Sequence, residues 1–258
     1  IIAGIKVDKG LKPLVGALHH ETYCSGLDGL TERAAKYYEQ GARFAKWRAV
    51  LQITEDGPSD FAIHENAWGL ARYARAVQEA GLVPIVEPEI LMDGDHHIEK
   101  TAAVQERVIK EVYAACATAG VLLEGTLLKP SMTVCGAECP DQADYKKVAG
   151  YTIRTLLRSV PAAVAGINFL SGGLSEEEAS LYLNEMNAAP DLPWNVSFSY
   201  GRALQHSAIR AWGGSDIEAG QKFVLARAKA NSEASIGCYV ADSQPSSDEK
   251  LFVAGYSY

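Results

Sequence analysis

The sequence predicts an α/β fold of the (β/α)8-barrel type, and three observations support that prediction. Six short β-rich runs recur along the 258-residue chain, roughly 30–40 residues apart, which is the length of one βα unit. Helical stretches fill the intervals between them. Nearly every run ends in polar or charged residues, and no glycine-rich dinucleotide fingerprint follows an early run. A doubly wound sheet is the alternative, but charged strand ends favour the barrel, whose active sites lie there.

The six predicted strands are rich in β-branched and aromatic residues, which are typical of strands. They cover residues 4–8, 44–50, 83–87, 125–129, 166–171 and 194–199. A complete barrel of this type has eight strands, so two βα units are unaccounted for.

Cap residues mark where the intervening helices begin and end. Ser59 precedes a long periodic stretch that stops at Gly81. Residues 98–119 repeat apolar positions at helical spacing and stop at Gly120. Ser175 and the three glutamates after it form a capping box, which predicts the start of another helix.

The chain is predicted to form one domain with a tail. No linker rich in Pro, Gly or Ser divides it, so residues 1–240 are predicted to form a single barrel domain. Residues 241–250 are polar and loop-like, so residues 241–258 are predicted to be a mobile C-terminal tail. The first five residues read as the middle of a strand, and we expect the natural protein to extend further at the N-terminus.

Composition excludes several classes of protein. A hydrophobic fraction of 48% over this length can bury a substantial core. The formal net charge of −8 argues against nucleic acid or an anionic membrane surface as the main partner. Five cysteines, an odd number scattered along the chain, favour free thiols in a reducing compartment. No apolar run approaches membrane-spanning length.

Charged side chains are predicted to converge at one end of the barrel. Residues two apart on a strand share a face, so the strand ends present a defined set of polar groups to the mouth. The set comprises Lys6 with Asp8, Lys46 with Arg48, Glu87 with Glu89, and then Lys129, Ser171 and Ser199. Burying charges is costly unless they pair, so a cluster of both signs indicates a functional site.

Lys129 ends an apolar run and precedes Pro130. A desolvated lysine beside another cation has a lowered pKa, because both effects disfavour the ammonium form. Such an amine is nucleophilic near neutral pH, as imine formation requires. The alternative is a strand-end lysine that extends its amine into solvent.

Glycine-containing loops follow the last two predicted strands. Gly172 comes directly after Ser171, and Gly201 and Arg202 follow Ser199. Phosphate sites in barrels often use these two loops, and an arginine adds a charge-assisted contact. Ordinary turn chemistry explains the same glycines without a ligand, so both interpretations stay open.

Histidines and cysteines do not form a recognisable metal motif. The adjacent histidine pairs at 19–20 and 96–97 lack the spacing of a helical zinc site. Cys135 and Cys139 have no second thiol pair that would complete a structural zinc site. We therefore predict no metal site.

Eight segments, in their order and spacing, resemble the class I (Schiff-base) fructose-bisphosphate aldolases, and particularly their plastid members. Among them are GIKVDKG (residues 4–10), LEGTLLKP (123–130), FLSGG (169–173) and FSYGRALQ (198–205). The others are residues 26–30, 44–48, 83–91 and 93–96. The resemblance runs from Gly4 to the last residue. It implies a TIM barrel of which this chain supplies strands 3–8 and the C-terminal tail.

The resemblance also implies a role for each of five catalytic residues. Lys129 is the lysine that forms the imine, and Glu87 is the acid/base that dehydrates the carbinolamine. Lys46 holds positive charge beside the imine, and Glu89 remains paired behind it. Tyr258 moves protons at C3 of the enamine.

Seven further positions match substrate-binding residues of the family. The site for the ketose C1 phosphate is matched by Ser171, Gly172, Ser199, Gly201 and Arg202. Lys6 and Arg48 match positions near the C6-phosphate end.

The implied activity is reversible cleavage of fructose 1,6-bisphosphate to dihydroxyacetone phosphate and glyceraldehyde 3-phosphate, with no metal or cofactor. The implied protein is a homotetramer of plastid or cytoplasm that binds small sugar phosphates. The family's first two strands, with an aspartate that handles the C4 hydroxyl proton, have no counterpart here. A non-catalytic scaffold protein and another sugar-phosphate lyase or isomerase are therefore kept as alternatives.

Overall fold

A computed structural model of the chain describes residues 1–189 and 191–255 and is built on a parallel sheet of six strands. The strands of the described residues are β1 (Gly4–Lys6), β2 (Leu11–Pro13), β3 (Thr22–Cys24), β4 (Phe44–Leu51), β5 (Val83–Ile90), β6 (Leu127–Leu128), β7 (Gly166–Phe169) and β8 (Asn195–Phe198). Of these, β2 and β3 form a separate pair outside the six-stranded sheet. Its helices are α1 (Leu30–Glu39), α2 (Asp60–Glu79), α3 (Ile98–Thr118), α4 (Tyr145–Ser159), α5 (Glu176–Asn187), α6 (Arg202–Trp212) and α7 (Ile217–Ala234).

The order of the strands in the sheet distinguishes the two candidate topologies. The large sheet has the order β1-β4-β5-β6-β7-β8, and every pair of neighbours is parallel. The strands therefore follow one another in chain order, as in a barrel, whereas a doubly wound sheet reverses direction part of the way along. The six predicted strands and a partial TIM barrel are confirmed. The β2–β3 hairpin, an antiparallel pair, was not predicted.

The predicted helix caps are present as hydrogen bonds. The Ser59 hydroxyl accepts a hydrogen bond from the Ala62 N–H at 3.1 Å, which fixes the start of α2. At the start of α5, Ser175 and Glu178 make the two reciprocal bonds of a capping box. Within the part of the chain that is described, no helix is both long and apolar enough to cross a membrane.

The fully buried Tyr73 of α2 joins β4 to β5. Its hydroxyl donates to the carbonyl of Ala45 at 2.6 Å and accepts from the N–H of Ile85 at 3.1 Å. Its ring stacks on Trp47 with the ring centroids 5.4 Å apart. Burial raises the pKa of Tyr73 well above its usual value, so the hydroxyl keeps its proton as a donor. These contacts align the two strands whose ends carry the charged side chains.

The loop that follows β6 packs backbone to backbone against the loop that follows β5. The N–H of Gly136 donates to the carbonyl of His96 at 2.8 Å, and that of Ala137 donates to Met92 at 2.7 Å. A Cβ added at Gly136 would lie 2.2 Å from the carbonyl oxygen of Gly94, which no side chain tolerates. Glycine is therefore required at position 136 for the two loops to meet.

We expect Gly136→Ala to lower the free energy of unfolding by about 1–3 kcal/mol, because the backbone must move to admit the methyl group. Gly150→Ala is the matched control, since nothing lies within 4 Å of a Cβ added there in α4. That control is expected to be neutral or to stabilise by about 0.5–1 kcal/mol. Urea unfolding of the full-length protein measures both changes, and equal effects of the two substitutions would contradict the close approach.

Residues 241–255 contain no helix or strand, but their backbone makes several contacts with the barrel. Glu177 accepts from the N–H of Asp242 at 3.1 Å, and Glu176 accepts from that of Ser247 at 3.0 Å. Further along, the N–H of Leu251 donates to the carbonyl of Gly173 at 3.0 Å. These contacts lead the tail toward the loop after β7. Its mobility stays a prediction.

Candidate active site

A cavity of about 300 Å³ opens at the carboxyl ends of β5 to β8. Nine of the twelve catalytic and substrate-binding residues named from the sequence line it. They are Arg48, Glu87, Glu89, Lys129, Ser171, Gly172, Ser199, Gly201 and Arg202, and Leu170 and Gln205 complete the lining. The predicted convergence of charged strand ends is therefore present in the structure.

At the floor of this cavity, one carboxylate lies between two lysines. Lys129 Nζ is 3.1 Å from Oε1 of Glu87, and Lys46 Nζ contacts the other oxygen, Oε2. Lys129 and Glu87 are buried, with 8% and 1% of their surface exposed. The strand register explains the contact between Lys46 and Glu87. Lys46 of β4 is opposite Ile85 of β5, and Glu87 lies two residues after Ile85 on the same face of the sheet.

Burial lowers the pKa of Lys129 from its ordinary value of 10.5. The negative charge of Glu87 opposes this change, and the positive charge of Lys46 adds to it. The balance favours the neutral amine more than in an exposed lysine. The arrangement therefore supplies a nucleophile beside a carboxylate that can carry protons to and from it.

A second ion pair lies two residues further along both strands, toward the mouth of the cavity. Arg48 Nε donates to Oε2 of Glu89 at 2.5 Å, and both residues are buried. The pair repeats the diagonal geometry of Lys46 with Glu87, because the register of β4 against β5 is the same. Pairing satisfies the buried charge of Glu89 and leaves Glu87 as the carboxylate that touches the lysine amine.

Two loops supply the opposite wall of the cavity. Gly172 has a φ of +57°, which an L residue rarely adopts, and its carbonyl accepts a hydrogen bond from the guanidinium of Arg202. Arg202 is the first residue of α6 and follows Gly201, so the N-terminus of a helix faces this wall. Backbone N–H groups at a helix N-terminus together with an arginine are suited to a phosphate.

The same arginine touches the C-terminal tail. Its guanidinium also donates to the carbonyl of Leu251, which brings the tail to the edge of the cavity. Further along, the N–H of Gly255 donates to Asp93 at 2.7 Å. Tyr258, the predicted proton carrier, lies outside the described residues.

Lys6 is the one described candidate that does not join the cluster. It lies at the edge of the sheet beside Lys46 in the register of β1 with β4, and its amine pairs with Asp8 at 2.5 Å. Lys46 contacts Oε2 of Glu87 and does not line the cavity. The predicted substrate-binding role of Lys6 stays a prediction.

Two residues have no predicted role, one that lines the cavity and one that pairs with Lys6. Gln205 lies in the first turn of α6 and lines the cavity three residues after Arg202. The sequence indicates Gln205 only through its place in the motif at residues 198–205, where helical spacing puts it on the same face of the helix as Arg202. Asp8 is buried, binds Lys6 and accepts from the N–H of Gly10 at 3.2 Å. Its spacing from Lys6 was the only signal.

The described residues contain no group of three or more His, Cys, Asp or Glu side chains that could hold a metal ion. The five cysteines are free, and four of them are buried.

Comparison with known proteins gives one family. The family model of class-I fructose-bisphosphate aldolases matches residues 1–258. A chloroplastic fructose-bisphosphate aldolase of Arabidopsis thaliana, aldolase 2, is 56% identical over 261 residues, which cover all of this chain and 65% of that protein. The cytosolic aldolase 4 of the same plant is 54% identical over all of this chain and 67% of its own length. The chain thus spans about two thirds of the length of such relatives.

A solved structure leads to the same family. Fructose-bisphosphate aldolase from Plasmodium falciparum, in a ternary complex with TRAP and a small-molecule inhibitor, is 51% identical with a TM-score of 0.92. The match covers 93% of this chain and 70% of that one. The chain therefore belongs to the class-I fructose-bisphosphate aldolases.

Proposed function

We propose that the full-length protein cleaves fructose 1,6-bisphosphate reversibly to dihydroxyacetone phosphate and glyceraldehyde 3-phosphate through an imine on Lys129. The observation that carries this proposal is the buried Lys129 amine, which lies 3.1 Å from Glu87 at the floor of a cavity. Two loops suited to binding phosphate form the opposite wall of that cavity. Family membership supports the same reaction.

The chemistry follows from what each group can do. Lys129 gives a proton to Glu87 and attacks the ketone at C2 as a neutral amine, and Glu87 then gives that proton to the departing hydroxyl as the carbinolamine loses water. The protonated imine then accepts the electron pair of the C3–C4 bond as that bond breaks, and the C4 hydroxyl loses its proton and becomes the aldehyde carbonyl of the leaving triose. In the family an aspartate outside the segment matched here takes that proton. Lys46, at the other carboxylate oxygen of Glu87, keeps that carboxylate paired while protons move. Glyceraldehyde 3-phosphate leaves first, and the triose remains on the lysine as an enamine until C3 is protonated.

The two ends of the substrate are assigned to positive groups from the family resemblance. Arg202 and the backbone of the two loops, at Ser171, Gly172, Ser199 and Gly201, would hold the C1 phosphate. Arg48 and Lys6 would face the C6 end. A net charge of −8 does not oppose an anionic substrate, since arginine and lysine side chains converge at this mouth.

Arg202→Ala is expected to raise KM for fructose 1,6-bisphosphate by about 10- to 100-fold, because one charge-assisted hydrogen bond contributes roughly 1.5–3 kcal/mol. Arg210→Ala is the matched control, since Arg210 lies on the same helix but is exposed and pairs only with Glu249 among the described ion pairs. Steady-state kinetics of the full-length protein measures both. An unchanged KM in Arg202→Ala would move the phosphate site elsewhere.

Borohydride reduction in the presence of dihydroxyacetone phosphate separates the aldolase from its alternatives. The aldolase adds one reduced triose to the Lys129 peptide. A scaffold protein adds none, and a lyase or isomerase that does not form an imine also adds none. The paired arrangement of Lys129, Glu87 and Lys46 favours the aldolase, because a scaffold gains nothing from burying three charges together.

Further properties are proposed from the family resemblance. The protein is a homotetramer of plastid or cytoplasm, and both compartments are represented among its relatives. Light scattering of the full-length protein tests the tetramer. Residues 1–240 act as the barrel domain and residues 241–258 as a mobile tail, which carries Tyr258 to the enamine.

A further inference from the structure

Two cysteines flank a tight turn in the loop that follows β6. The turn is closed by a hydrogen bond of 3.1 Å from the N–H of Cys139 to the carbonyl of Gly136, and Cys135 directly precedes it. The sulfurs of Cys135 and Cys139 lie 3.6 and 3.7 Å from one carbonyl oxygen, that of Asp141. Two thiols that share a single acceptor at such distances are neighbours, as a disulfide requires.

Cys139 also contacts a base that reaches solvent. Its sulfur is 3.4 Å from Nδ1 of His97, and His97 is exposed although Cys139 is buried. Burial raises the pKa of the Cys139 thiol, and the neighbouring Cys135 adds to that effect. The thiol therefore needs a proton acceptor before it can act as a nucleophile, and His97 supplies one.

The other two buried cysteines provide a contrast within the same chain. Burial raises the pKa of Cys24 and of Cys116 to about 12. For Cys116, burial is the whole cause, and no hydrogen bond of its sulfur is recorded in the described structure. These two thiols lack the combination of a second sulfur and an imidazole.

We propose that Cys135 and Cys139 are a redox-active pair that hydrogen peroxide converts into an intrachain disulfide. His97 takes the proton of Cys139, and the thiolate attacks one peroxide oxygen. The O–O bond breaks, and the released hydroxide takes a proton to become water, which leaves Cys139 as a sulfenic acid. Cys135 then attacks that sulfur and expels a second water. Overall, two thiols are oxidised to one disulfide, and the peroxide accepts the two electrons.

The pair lies next to the candidate active site but is not part of it. The same loop contributes Met132 and Val134 to a cavity that also contains Ser171 and Arg202. Ala137, between the two cysteines, donates its N–H to Met92, which lies in that cavity wall as well. The disulfide would therefore form in the segment that joins Lys129 to this wall. The inference does not depend on the proposed aldolase reaction.

The sequence allows a direct test by proteolysis, because Glu138 lies between the two cysteines. The folded full-length protein is treated with hydrogen peroxide, alkylated, and digested with trypsin and a glutamyl endopeptidase. Trypsin does not cleave after Lys129, since Pro130 follows it. Cys135 is then in the fragment 125–138 and Cys139 is in the fragment 139–146. We expect the two fragments to stay joined until a reductant separates them, and free thiols to fall by two.

Controls make the pairing specific to the native fold. Cys135→Ala is expected to abolish the joined fragments, and Cys116 is expected to remain alkylated as an internal reference. In concentrated urea, peroxide is expected to oxidise the cysteines without a preference for joining Cys135 to Cys139. The proposal is overturned if both fragments of the wild type are recovered alkylated, if Cys139 is found as a sulfinic acid with Cys135 unmodified, or if either cysteine pairs with the exposed Cys238. The fragments recovered from the wild type decide the test, so the test does not depend on whether the Cys135→Ala variant folds.

Discussion

Replacing Lys129 with methionine is expected to abolish imine formation and to lower kcat on the order of 10⁶-fold, the scale of loss that follows removal of a catalytic nucleophile. Methionine is close to lysine in length and fills the same buried space without an amine. Glu87 remains paired with Lys46, so no carboxylate is left alone in the core. The fold is therefore expected to survive, and circular dichroism checks this.

Trapping experiments identify the lysine directly. Borohydride with dihydroxyacetone phosphate should modify the wild-type peptide that contains Lys129 and leave the variant unmodified. Lys147→Met is the matched control, because Lys147 is exposed and its amine pairs with Glu99 at 3.3 Å, away from Glu87. A label on Lys46, the other amine that contacts Glu87, would reassign the nucleophile and contradict the proposed mechanism.

The pKa of Lys129 adds a second, independent measurement. Burial lowers it, whereas the carboxylate of Glu99 raises the pKa of Lys147 above 10.5. An amine-reactive reagent should therefore label Lys129 with a pH midpoint below 10.5 and Lys147 with a midpoint above it. The lysine with the lower midpoint is the one that is neutral, and hence nucleophilic, nearer to pH 7.

Much of the sheet could be predicted because its strands are marked by local composition. All six runs became strands of the parallel sheet, in the order of the chain. Period two also predicted that Lys46 and Arg48 share a face, as do Glu87 and Glu89. Which cation meets which carboxylate is set by register, since Lys46 is opposite Ile85 in β5 and reaches two residues ahead. Register between distant segments leaves no mark in either strand alone.

The remaining features depend on contacts that no periodic pattern encodes. The run at residues 125–129 forms a strand of only two residues, Leu127–Leu128, because Leu123–Gly125 is a 3-10 turn that ends just before it. The tail is polar throughout, yet Leu251 receives a hydrogen bond from Arg202 at the cavity. Cys135 and Cys139 match no zinc motif in the sequence, and their shared contact with Asp141 depends on the three-dimensional fold of the loop.

Glu87→Gln is expected to lower kcat by about 10²- to 10⁴-fold, the usual contribution of a general acid or base. Glutamine keeps the size of the side chain and its contact with Lys129, but it cannot transfer a proton. Dehydration of the carbinolamine is expected to become slow, so trapping with borohydride should lose rate while its final extent on Lys129 persists. A variant with wild-type kcat would exclude Glu87 as the acid/base.

The same variant should also move the titration of Lys129 in a defined direction. The negative charge of Glu87 raises the pKa of Lys129 and so opposes the effect of burial. With glutamine in its place, the ammonium form loses that stabilisation, and the pH midpoint for labelling Lys129 should shift downward. Glu89→Gln is the control, because Glu89 raises the pKa of Lys129 less than Glu87 does and pairs with Arg48. Its shift should be smaller in the same direction. A larger shift in Glu89→Gln than in Glu87→Gln would mean that Glu87 is not the carboxylate that governs the amine.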